Sequence, residues 1–547
     1  MNQRFLRSKV LTALGLALLV AAGAVSAAPL PVSPKVTPIP DTPPLEVKDN
    51  AVLLSVNDAV EIALRRNLNL VVQRYVRDRS GQGIQQALGI YDLTVNGTAS
   101  ASDQTSATAS SLQSGKATQQ VLNAGLSQII PLGGQFSFGF NNNRQTSNNS
   151  FVSINPAYNS GLSLTYNQPL LRNFGNLATD YNILVAQNNS EQSRQQFQFQ
   201  VVATTQSVIN AYWALVGARQ QLIVAQESLS LAKELHERNR IQVEVGTIAP
   251  LELVSSEANI ATNEEAIITA KAAVADAEDV LRGLLNFPPG PLWQAEIRPT
   301  TDPVIDRVQI NLDEALQSAL ATRPEIKTQE LVVAQSSINQ KYAYNQLKPS
   351  LNLQLAYNTS GVGGDVIVRD PNTGEILRVI PGGFSDAFSQ VTGFNFTGWS
   401  AQLVFSYPLQ NRTARATAVI SDLDQERTTT ALDQLRQSVI TEVRTATRKV
   451  DTAAKSIDAA RIARQFQEKN LDAERKKYEN GLSTSFQITT IQQNVTAAKS
   501  NEVNTVITYR TALADYYRAI GKLLDVQGVQ IDDPADPVKR WHFSLFG

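Results

Sequence analysis

The side chains that most often carry catalysis or bind metals are scarce in this sequence. It has two histidines, His236 and His542, far apart in the chain, and it has no cysteine. Disulfides, thiolate metal sites and lipid attachment through cysteine are therefore excluded, and histidine-based metal or acid–base catalysis is not expected. No nucleophile elbow, zinc-binding motif or phosphate loop occurs either. The sequence predicts a protein that is not an enzyme and that needs no metal or other cofactor.

The overall charge gives no sign of a nucleic-acid partner. The 547 residues include 48 Lys and Arg against 49 Asp and Glu. Proteins that bind nucleic acid usually carry an excess of basic residues or a basic patch. We therefore expect no nucleic acid among the partners.

Two glycine turns are the most distinctive short motifs. Val245, Gly246 and Thr247 interrupt one long helical pattern, and Asn480, Gly481, Leu482 and Ser483 interrupt another. Glycine at such a place supplies the positive φ that ends a helix. Each turn alone is equally explained as a simple helix stop. Their occurrence at matched places in the two halves of the chain favours a shared function.

The helices that carry these turns follow heptad patterns. An apolar ladder whose steps alternate between three and four residues occurs twice, and large and small residues alternate along it in both copies. The two ladders are Val208, Ala211, Leu215, Ala218, Leu222, Ala225, Leu229 and Ala232, and Val443, Ala446, Val450, Ala453, Ile457 and Ala460. We predict long helical hairpins at 176–285 and 412–525, with antiparallel arms because the turns are short.

The chain contains two copies of one structural plan. Leu54–Leu64 aligns with Ile310–Leu320, and the strand endings Gln168-Pro-Leu170 and Tyr407-Pro-Leu409 correspond. Such internal repeats outrank any single motif.

The predicted domains follow from this duplication. The first repeat, 51–290, consists of a helix at 55–90, strands within 93–168 and the first hairpin. The second, 291–526, consists of a helix at 311–346, strands within 351–407 and the second hairpin. A tail, 527–547, follows.

The N-terminus has the pattern of a secretory signal. Arg4, Arg7 and Lys9 precede an apolar run and the small-residue site Val25-Ser26-Ala27, which predicts a signal peptide at 1–27. Residues 28–50 form a proline-rich extension without a core of its own. No later segment reaches 18 consecutive apolar residues, so an α-helical membrane span is not expected.

The strand regions alternate apolar and polar residues. In the first repeat, four runs show this period of two, for example Phe136, Phe138 and Phe140 against Ser137 and Gly139. One face is apolar and the other is small or polar, as strands of a membrane barrel require. A soluble antiparallel sheet with one wet face explains the alternation equally well.

A glycine-rich insertion separates the strands of the second repeat. Val366–Val368 and Ile376–Ile380 flank a turn at 370–374, which predicts a small hairpin. Phe394, Phe396 and Trp399 follow it. They are explained either as part of an aromatic belt at a membrane interface or as scattered exposed aromatic residues.

The paired helix starts, the strand endings and the two glycine turns, in this order, resemble the TolC-like outer-membrane efflux proteins, also called outer membrane factors. The resemblance covers about residues 52–526. It implies an α+β membrane protein in which three identical chains share one transmembrane β-barrel in the outer membrane of a Gram-negative-type cell. It also implies that the long antiparallel helices form a coiled-coil barrel, a tunnel in the periplasm. A few strands with open edges need such closure in lipid.

The resemblance also implies partners. These are two further copies of the chain, a periplasmic adaptor (membrane fusion) protein, an inner-membrane pump reached through the adaptor, and outer-membrane lipid. The adaptor is expected to dock at the turns Val245-Gly246-Thr247 and Asn480-Gly481-Leu482-Ser483.

The same resemblance assigns gate residues near the turns. Glu252 and Tyr478 fall on positions that hold the closed tip by hydrogen bonds across helices. For Glu252, the favourable interaction of an acidic residue with the first turn of a helix is an alternative explanation.

The sequence departs from the family at three places. The family's carboxylate ring at the tunnel entrance falls on Gln487 and Thr490, which are not acidic, and Gln487 is placed to form a capping box with Thr484. Ser483 replaces an arginine that the best-known member of the family uses in its lock, which predicts a more weakly held gate. The first strand region has four runs where the family plan needs two. The extra hairpin, 122–142, either enlarges the barrel or folds over its outer mouth.

The leading functional hypothesis is therefore a passive outer-membrane exit duct of a tripartite efflux or type I secretion system, gated at the periplasmic helix tips. The alternative is a trimeric coiled-coil surface protein with a structural or adhesive role, against which the paired strand regions argue. Drugs, small metabolites and secreted polypeptides all remain open as substrates. One methionine, two histidines and no cysteine disfavour a dedicated copper exporter.

Overall fold

A computed structural model describes residues 47–48, 51–107, 114–149, 151–287, 290–305, 307–370 and 374–529. The predicted signal peptide at 1–27, most of the proline-rich extension at 28–50 and the tail beyond residue 529 lie outside the described residues. The tip of the predicted small hairpin, 371–373, lies outside them as well.

The strands and helices of the described residues are labelled in chain order. The strands are β1 Val47–Lys48, β2 Ala51–Leu54, β3 Thr94–Thr105, β4 Lys116–Ile129, β5 Gln135–Ser147, β6 Ile154–Pro169, β7 Glu296–Pro299, β8 Ser350–Arg369, β9 Ile376–Ile380 and β10 Phe396–Ser406. The helices are α1 Val56–Arg66, α2 Leu68–Leu88, α3 Asn176–Thr179, α4 Tyr181–Glu244, α5 Leu251–Leu285, α6 Pro291–Gln294, α7 Leu312–Thr322, α8 Pro324–Gln346, α9 Phe384–Thr392, α10 Arg412–Glu479, α11 Ser485–Ala519 and α12 Leu523–Val526. Among these helices, none combines the length and the apolar character that crossing a bilayer would require.

The prediction of one continuous helix at the start of each repeat was wrong at two residues. Asn67 separates α1 from α2 with a non-helical ψ of 124°, and its Oδ1 accepts hydrogen bonds from the backbone N–H groups of Asn69 and Leu70. In the second repeat, Pro324 is the first residue of α8. The proline ring disfavours helical geometry at the preceding Arg323, whose ψ is 127°. A side-chain cap and a proline thus divide the two helices at corresponding places.

The chain divides into two compact units. The first unit comprises residues 82–188 and 334–426 among those described. It contains a sheet whose strands follow the order β10-β8-β6-β5-β4-β3, with β9 paired to β8, and every neighbouring pair is antiparallel. The hairpin 122–142 lies within β4 and β5, which continue the sheet in regular register. The sequence had left open whether this hairpin enlarges a barrel or folds over its outer mouth; the pairing shows β4 and β5 as regular members of the sheet.

The two faces of this sheet differ in polarity. Because side chains alternate along a strand, the pairing register assigns each residue to a face. One face, called the apolar face below, carries Leu122, Leu126, Phe136, Phe138, Phe140, Leu162, Leu164, Leu353, Leu355, Tyr357, Trp399 and Leu403. The opposite face carries Asn123, Ser127, Ser137, Asn141, Ser163, Thr165, Gln354, Asn358, Ser400 and Gln402. Many side chains of the apolar face are exposed in the single chain, for example Leu403 at 64% and Trp399 at 79%.

The second unit comprises residues 51–81, 189–333 and 427–529 among those described, together with β1. It contains a small sheet of order β1-β2-β7, with β2 and β7 parallel. The buried side chain of Tyr212 on α4 donates a hydrogen bond to the carbonyl of Leu54 at the end of β2, at 3.1 Å. This bond ties the small sheet to a long helix.

The heptad ladders form the cores of this unit. Val208 and Leu215 of the first ladder and Val443 of the second have no exposed surface. The other members of the second ladder are buried as well. Two separate apolar clusters, each with residues of α11, include Val208, Ala211 and Leu215 of the first ladder and Val443, Ala446, Val450, Ala453 and Ile457 of the second. Long helices with an apolar seam are stabilised mainly by this packing.

Candidate functional site

The first glycine turn ends α4 with a Schellman motif. Gly246 has a φ of +77°. Its N–H donates to the carbonyl of Val243 at 3.0 Å, and the N–H of Thr247 donates to the carbonyl of Gln242 at 2.9 Å. These two bonds satisfy helix-end carbonyls in the way that defines the motif. A Cβ at residue 246 would meet no atom within 4 Å, so the positive φ alone favours glycine here.

The second glycine turn has the same geometry. Gly481 has a φ of +74°. Its N–H donates to the carbonyl of Tyr478 at 3.0 Å, and the N–H of Leu482 donates to the carbonyl of Lys477 at 2.8 Å. The side chain of Asn480 donates to the carbonyl of Lys476 at 2.6 Å. The two turns, predicted from sequence as equivalent, are thus the same motif with the same pair of hydrogen bonds.

Each turn exposes large apolar side chains. Val245 and Leu251 flank the first turn and are 69% and 74% exposed. Leu482 and Phe486 belong to the second and are 77% and 72% exposed. Exposed apolar groups concentrated in this way commonly mark a protein interaction surface.

The two hairpins are joined near these turns by Tyr478. Its side chain is 5% exposed. The hydroxyl donates to Oδ1 of Asn239 on α4 at 2.7 Å and also lies 2.7 Å from Oε1 of Gln242. The partners of Tyr478 therefore lie on the helix before the first turn, whereas Glu252 lies after it.

Asn239 extends this contact to a third helix. It has no exposed surface, and its Nδ2 donates to Oγ of Ser485 at the start of α11, at 2.7 Å. Apolar residues of α4, α10 and α11 surround the contact, among them Leu235, Leu471 and Ile488. Because a buried amide is costly unless it is hydrogen-bonded, this triad holds the three helices in one arrangement.

Asn239, Gln242 and Ser485 were not among the sequence-predicted site residues. A signal for Asn239 was present in the first heptad ladder. Continuing its alternating steps beyond Ala232 reaches His236 and then Asn239, a polar residue at a seam position. Polar seam residues typically fix register and partner choice at a cost in stability.

Glu252 lies in the first turn of α5 and is partly exposed. Within the described part of the chain, its carboxylate makes no hydrogen bond or ion pair. Its negative charge nevertheless acts on Tyr478, since burial first and Glu252 second raise the pKa of the Tyr478 phenol, while Arg238 opposes them. The structure thus brings Glu252 and Tyr478 into electrostatic contact without bonding them to each other.

The remaining predicted gate positions make local contacts. Ser483 donates to Oε1 of Glu474 at 2.6 Å. This hydrogen bond lowers the pKa of the Glu474 carboxyl below its usual value, and a second hydrogen bond, from Lys477, lowers it further. Oγ1 of Thr484 accepts from the N–H of Gln487 at 3.3 Å. No reciprocal bond from the Gln487 side chain is found in the described residues, so the cap is this single bond.

Thr490 hydrogen-bonds within its own helix, donating to the carbonyl of Phe486 at 3.0 Å. Arg238 pairs across the hairpins with Glu479 and within its own helix with Glu234, both at 2.8 Å. These partners are well exposed, and exposed ion pairs contribute little stability. The described residues contain no group of three or more His, Asp or Glu that could hold a metal ion.

Comparison with known proteins gives a family and a fold. The model of the family described as outer membrane efflux protein matches residues 135–286 and 315–522. Among solved structures, the chain is similar to the Campylobacter jejuni CmeC outer membrane channel (16% identity, TM-score 0.62, 89% of this chain and 88% of that chain). It is also similar to the outer membrane protein VceC of Vibrio cholerae (13%, 0.61, 85% and 96%) and to the open state of the Neisseria gonorrhoeae MtrE outer membrane channel (16%, 0.58, 86% and 89%). No curated protein matches the chain by sequence.

Proposed function

Since the chain belongs to the outer membrane efflux protein family, we propose that it is the passive exit duct of a tripartite efflux or type I secretion system. As an outer-membrane efflux channel it is not an enzyme. The family assignment also favours a duct over a coiled-coil surface protein.

The observation that carries the proposal is the two-faced sheet with unpaired outer edges. One face is apolar and exposed, and the other is polar, as lipid on one side and a water-filled pore on the other would require. The outer edges, on β3 and β10, pair with nothing in the described chain. In a bilayer, unpaired backbone groups at such edges are too costly to persist. The edges therefore support closure of the sheet by other copies of the same chain.

The strand order determines how identical copies close. Neighbours alternate in direction along β10-β8-β6-β5-β4-β3, so β10 and β3 run antiparallel to each other. The β10 edge of one copy can thus continue the sheet through β3 of the next. With three copies, as in the family, the proposed barrel has eighteen strands, and β4 and β5 make it wider than the family plan with two strands in the first region.

The helix tips are the proposed contact with an adaptor and the proposed gate. Val245, Leu251, Leu482 and Phe486 offer apolar side chains on two turns of identical geometry, which suits docking of a repeated adaptor element. The buried triad of Tyr478, Asn239 and Ser485 holds the hairpins together in the closed state. Opening requires the hairpins to separate, so partner binding must favour the separated arrangement.

The proposal is tested with the detergent-purified mature protein. Light scattering should give the mass of three chains, and cryo-electron microscopy of the same fraction should show one closed barrel of eighteen strands. Addition to a planar bilayer should give small resting conductance that rises when the tip is opened by mutation. A monomer without membrane insertion would overturn the duct, whereas a trimer with twelve strands would overturn only the proposed role of β4 and β5.

A further inference from the structure

The insertion of the second repeat builds a short helix onto the large sheet. α9 (Phe384–Thr392) packs against β8 and β6 through Ala387 and Val391, neither of which has any exposed surface. Beneath it, β8 carries Gly361 and Gly363. A Cβ at Gly361 would lie 2.1 Å from the carbonyl oxygen of Ala387, and one at Gly363 would lie 2.2 Å from that of Gly383. Only glycine therefore permits this close approach. Gly361 and Gly363 form the surface against which α9 packs.

A side-chain amide fastens the helix to the strand. Gln390 donates through Nε2 to the carbonyl of Val362 at 3.0 Å and accepts at Oε1 from the N–H of Val362 at 3.1 Å. β10 ends opposite Ser360, so Val362 lies just beyond its last partner on that side. Gln390 thus makes the two hydrogen bonds to the backbone of Val362 that a neighbouring strand would otherwise make. At the start of α9, the carboxylate of Asp386 accepts from the N–H of Gly383 at 2.7 Å.

The helix lies on the apolar face of the sheet. The pairing of β8 with β6 is regular from Asn352 to Gly364, so Gly361 and Gly363 point to the same side as Leu355 and Tyr357. An aromatic contact agrees with this assignment: the ring of Phe388 meets that of Phe140, on the apolar face of β5, at a centroid distance of 6.0 Å.

The position of α9 coincides with the edge of the apolar band. Below the helix, the strands present residues such as Leu164 and Tyr357, whereas at and beyond the level of Gly361 polar and small residues enter this face beside Tyr158 and Leu122. These include Ser160, Asn142 and Arg144, which follow in register on β6 and β5. A membrane-facing band of about 25 Å is expected to give way to polar residues at this level.

Two phenylalanines of α9 extend the apolar band outward. Phe384 and Phe388 are stacked at 5.7 Å and remain 44% and 42% exposed. Ser385 and Ser389, one position further along the helix, are also exposed. The outer surface of this helix is therefore aromatic on one side and polar on the other, as in helices that lie in a membrane interface.

We propose that α9 is an interfacial helix that rests in the outer leaflet of the membrane, with Phe384 and Phe388 inserted at the boundary between headgroups and acyl chains. This inference rests on the proposed placement of the sheet in a membrane. A neighbouring copy of the chain is a poorer occupant, since another copy would extend the sheet at its outer edges on β3 and β10, whereas α9 lies on the face of β6 and β8. Aromatic side chains favour this depth because their rings suit a zone that is partly apolar and partly wet.

The natural sequence has no cysteine, which permits single nitroxide labels on the full-length protein in phosphatidylcholine–phosphatidylglycerol vesicles. The measured quantity is the ratio of a label's accessibility to oxygen to its accessibility to a water-soluble nickel chelate. This ratio should be severalfold higher for labels at Phe384→Cys and Phe388→Cys than for labels at Ser385→Cys and Ser389→Cys. Leu403→Cys, on the apolar face, serves as the lipid reference, and Asn358→Cys, on the polar face, as the water reference.

The possible outcomes distinguish a failure of the interfacial-helix proposal from a failure of the proposed duct. If Leu403→Cys reports lipid while Phe384→Cys and Phe388→Cys report water, the interfacial helix is wrong and the membrane sheet stands. If Leu403→Cys also reports water, both the helix and the proposed function are overturned. The variant F384S/F388S, which leaves the buried Ala387 and Val391 in place, should remain trimeric but lose thermal stability in vesicles and not in detergent. Equal losses in both media would assign these rings to protein packing and overturn the proposal.

Discussion

The hydroxyl of Tyr478 on α10 donates a hydrogen bond of 2.7 Å to Oδ1 of Asn239 on α4, an amide with no exposed surface. The bond joins the two long hairpins near their turns. Asn239 in turn donates a hydrogen bond to Ser485 at the start of α11. If the partner of a fully buried amide is removed, the free energy lost when the amide was transferred out of water is no longer offset by a hydrogen bond. If the hairpins separate on opening, this bond contributes to the closed state only.

Tyr478→Phe is therefore expected to favour the open tip. The substitution keeps the ring but leaves Oδ1 of Asn239 without its donor, at a cost of about 1–3 kcal/mol. If the bond exists only in the closed state, the closed-to-open ratio falls by about 5- to 150-fold. Single-channel recording in a planar bilayer measures this as increased resting conductance. Thr508→Val, which removes a hydroxyl bonded only within its own helix and away from the predicted gate positions, is the matched control and should leave the conductance unchanged.

The same phenol predicts an alkaline transition. Burial, and then the charge of Glu252, raise the pKa of Tyr478 above its ordinary value of 10.0. The closed tip thus binds this proton more tightly than a tip in which Tyr478 is solvated. The resulting stabilisation is complete below pH 10.0 and is lost as the pH rises through the raised pKa. Conductance should therefore increase in strongly alkaline buffer for the natural chain, and this step should be missing from Tyr478→Phe. Identical pH profiles would remove Tyr478 from the gate.

Glu252→Ala is expected to raise resting conductance by a different route. Glu252 makes no bond within the described part of its own chain, so a role in the lock requires a donor on another copy. Glu252→Gln keeps the size of the side chain and can still accept a hydrogen bond, so it should have the smaller effect if hydrogen bonding dominates. Unchanged closed-state current in both variants would leave only the favourable interaction of the carboxylate with the first turn of α5.

Much of this arrangement was accessible from the sequence because it depends on local patterns. The glycines at 246 and 481 predicted two helix-ending turns, and heptad spacing predicted the long helices around them. The partners of Tyr478 were not accessible in this way. Asn239 and Tyr478 are far apart in the chain, and only the packing of α4 against α10 determines which side chains face each other. The packing of α9 could not be predicted for the same reason. Gly361 and Gly363 indicate a close approach of another segment, but they do not identify that segment.

The second glycine turn gives a direct test of adaptor docking. At a φ of +74°, a β-branched residue is strongly disfavoured, whereas asparagine tolerates this conformation. Gly481→Val should therefore distort the turn and abolish co-purification with the adaptor, while Gly481→Asn should keep both. The space around residue 481 is open, so neither variant should disturb the trimer.

A second pair of variants separates the turn from its side chains. Leu482→Ser removes a 77% exposed apolar group without changing the backbone motif, and it should weaken adaptor binding with no loss of thermal stability. The exposed Asp472→Ser, on α10 before the turn, is the control. If Gly481→Val and Leu482→Ser both retain the adaptor, docking takes place elsewhere.

The closing of the sheet by neighbouring copies predicts a specific cross-link. Cysteines at Val95 on β3 and at Trp399, Ala401 or Leu403 on β10 all lie on the apolar face, and adjacent strands bring such Cβ atoms within about 4.5–5.5 Å. Oxidation of V95C combined with one of these three substitutions should give a covalent trimer on a denaturing gel, because each of the three junctions then carries one disulfide. V95C/Q402C is the matched control, since Gln402 lies on the opposite face and its cysteine should not react. Cross-linking of V95C alone to itself would mean that two β3 edges meet, which contradicts a ring of identical junctions.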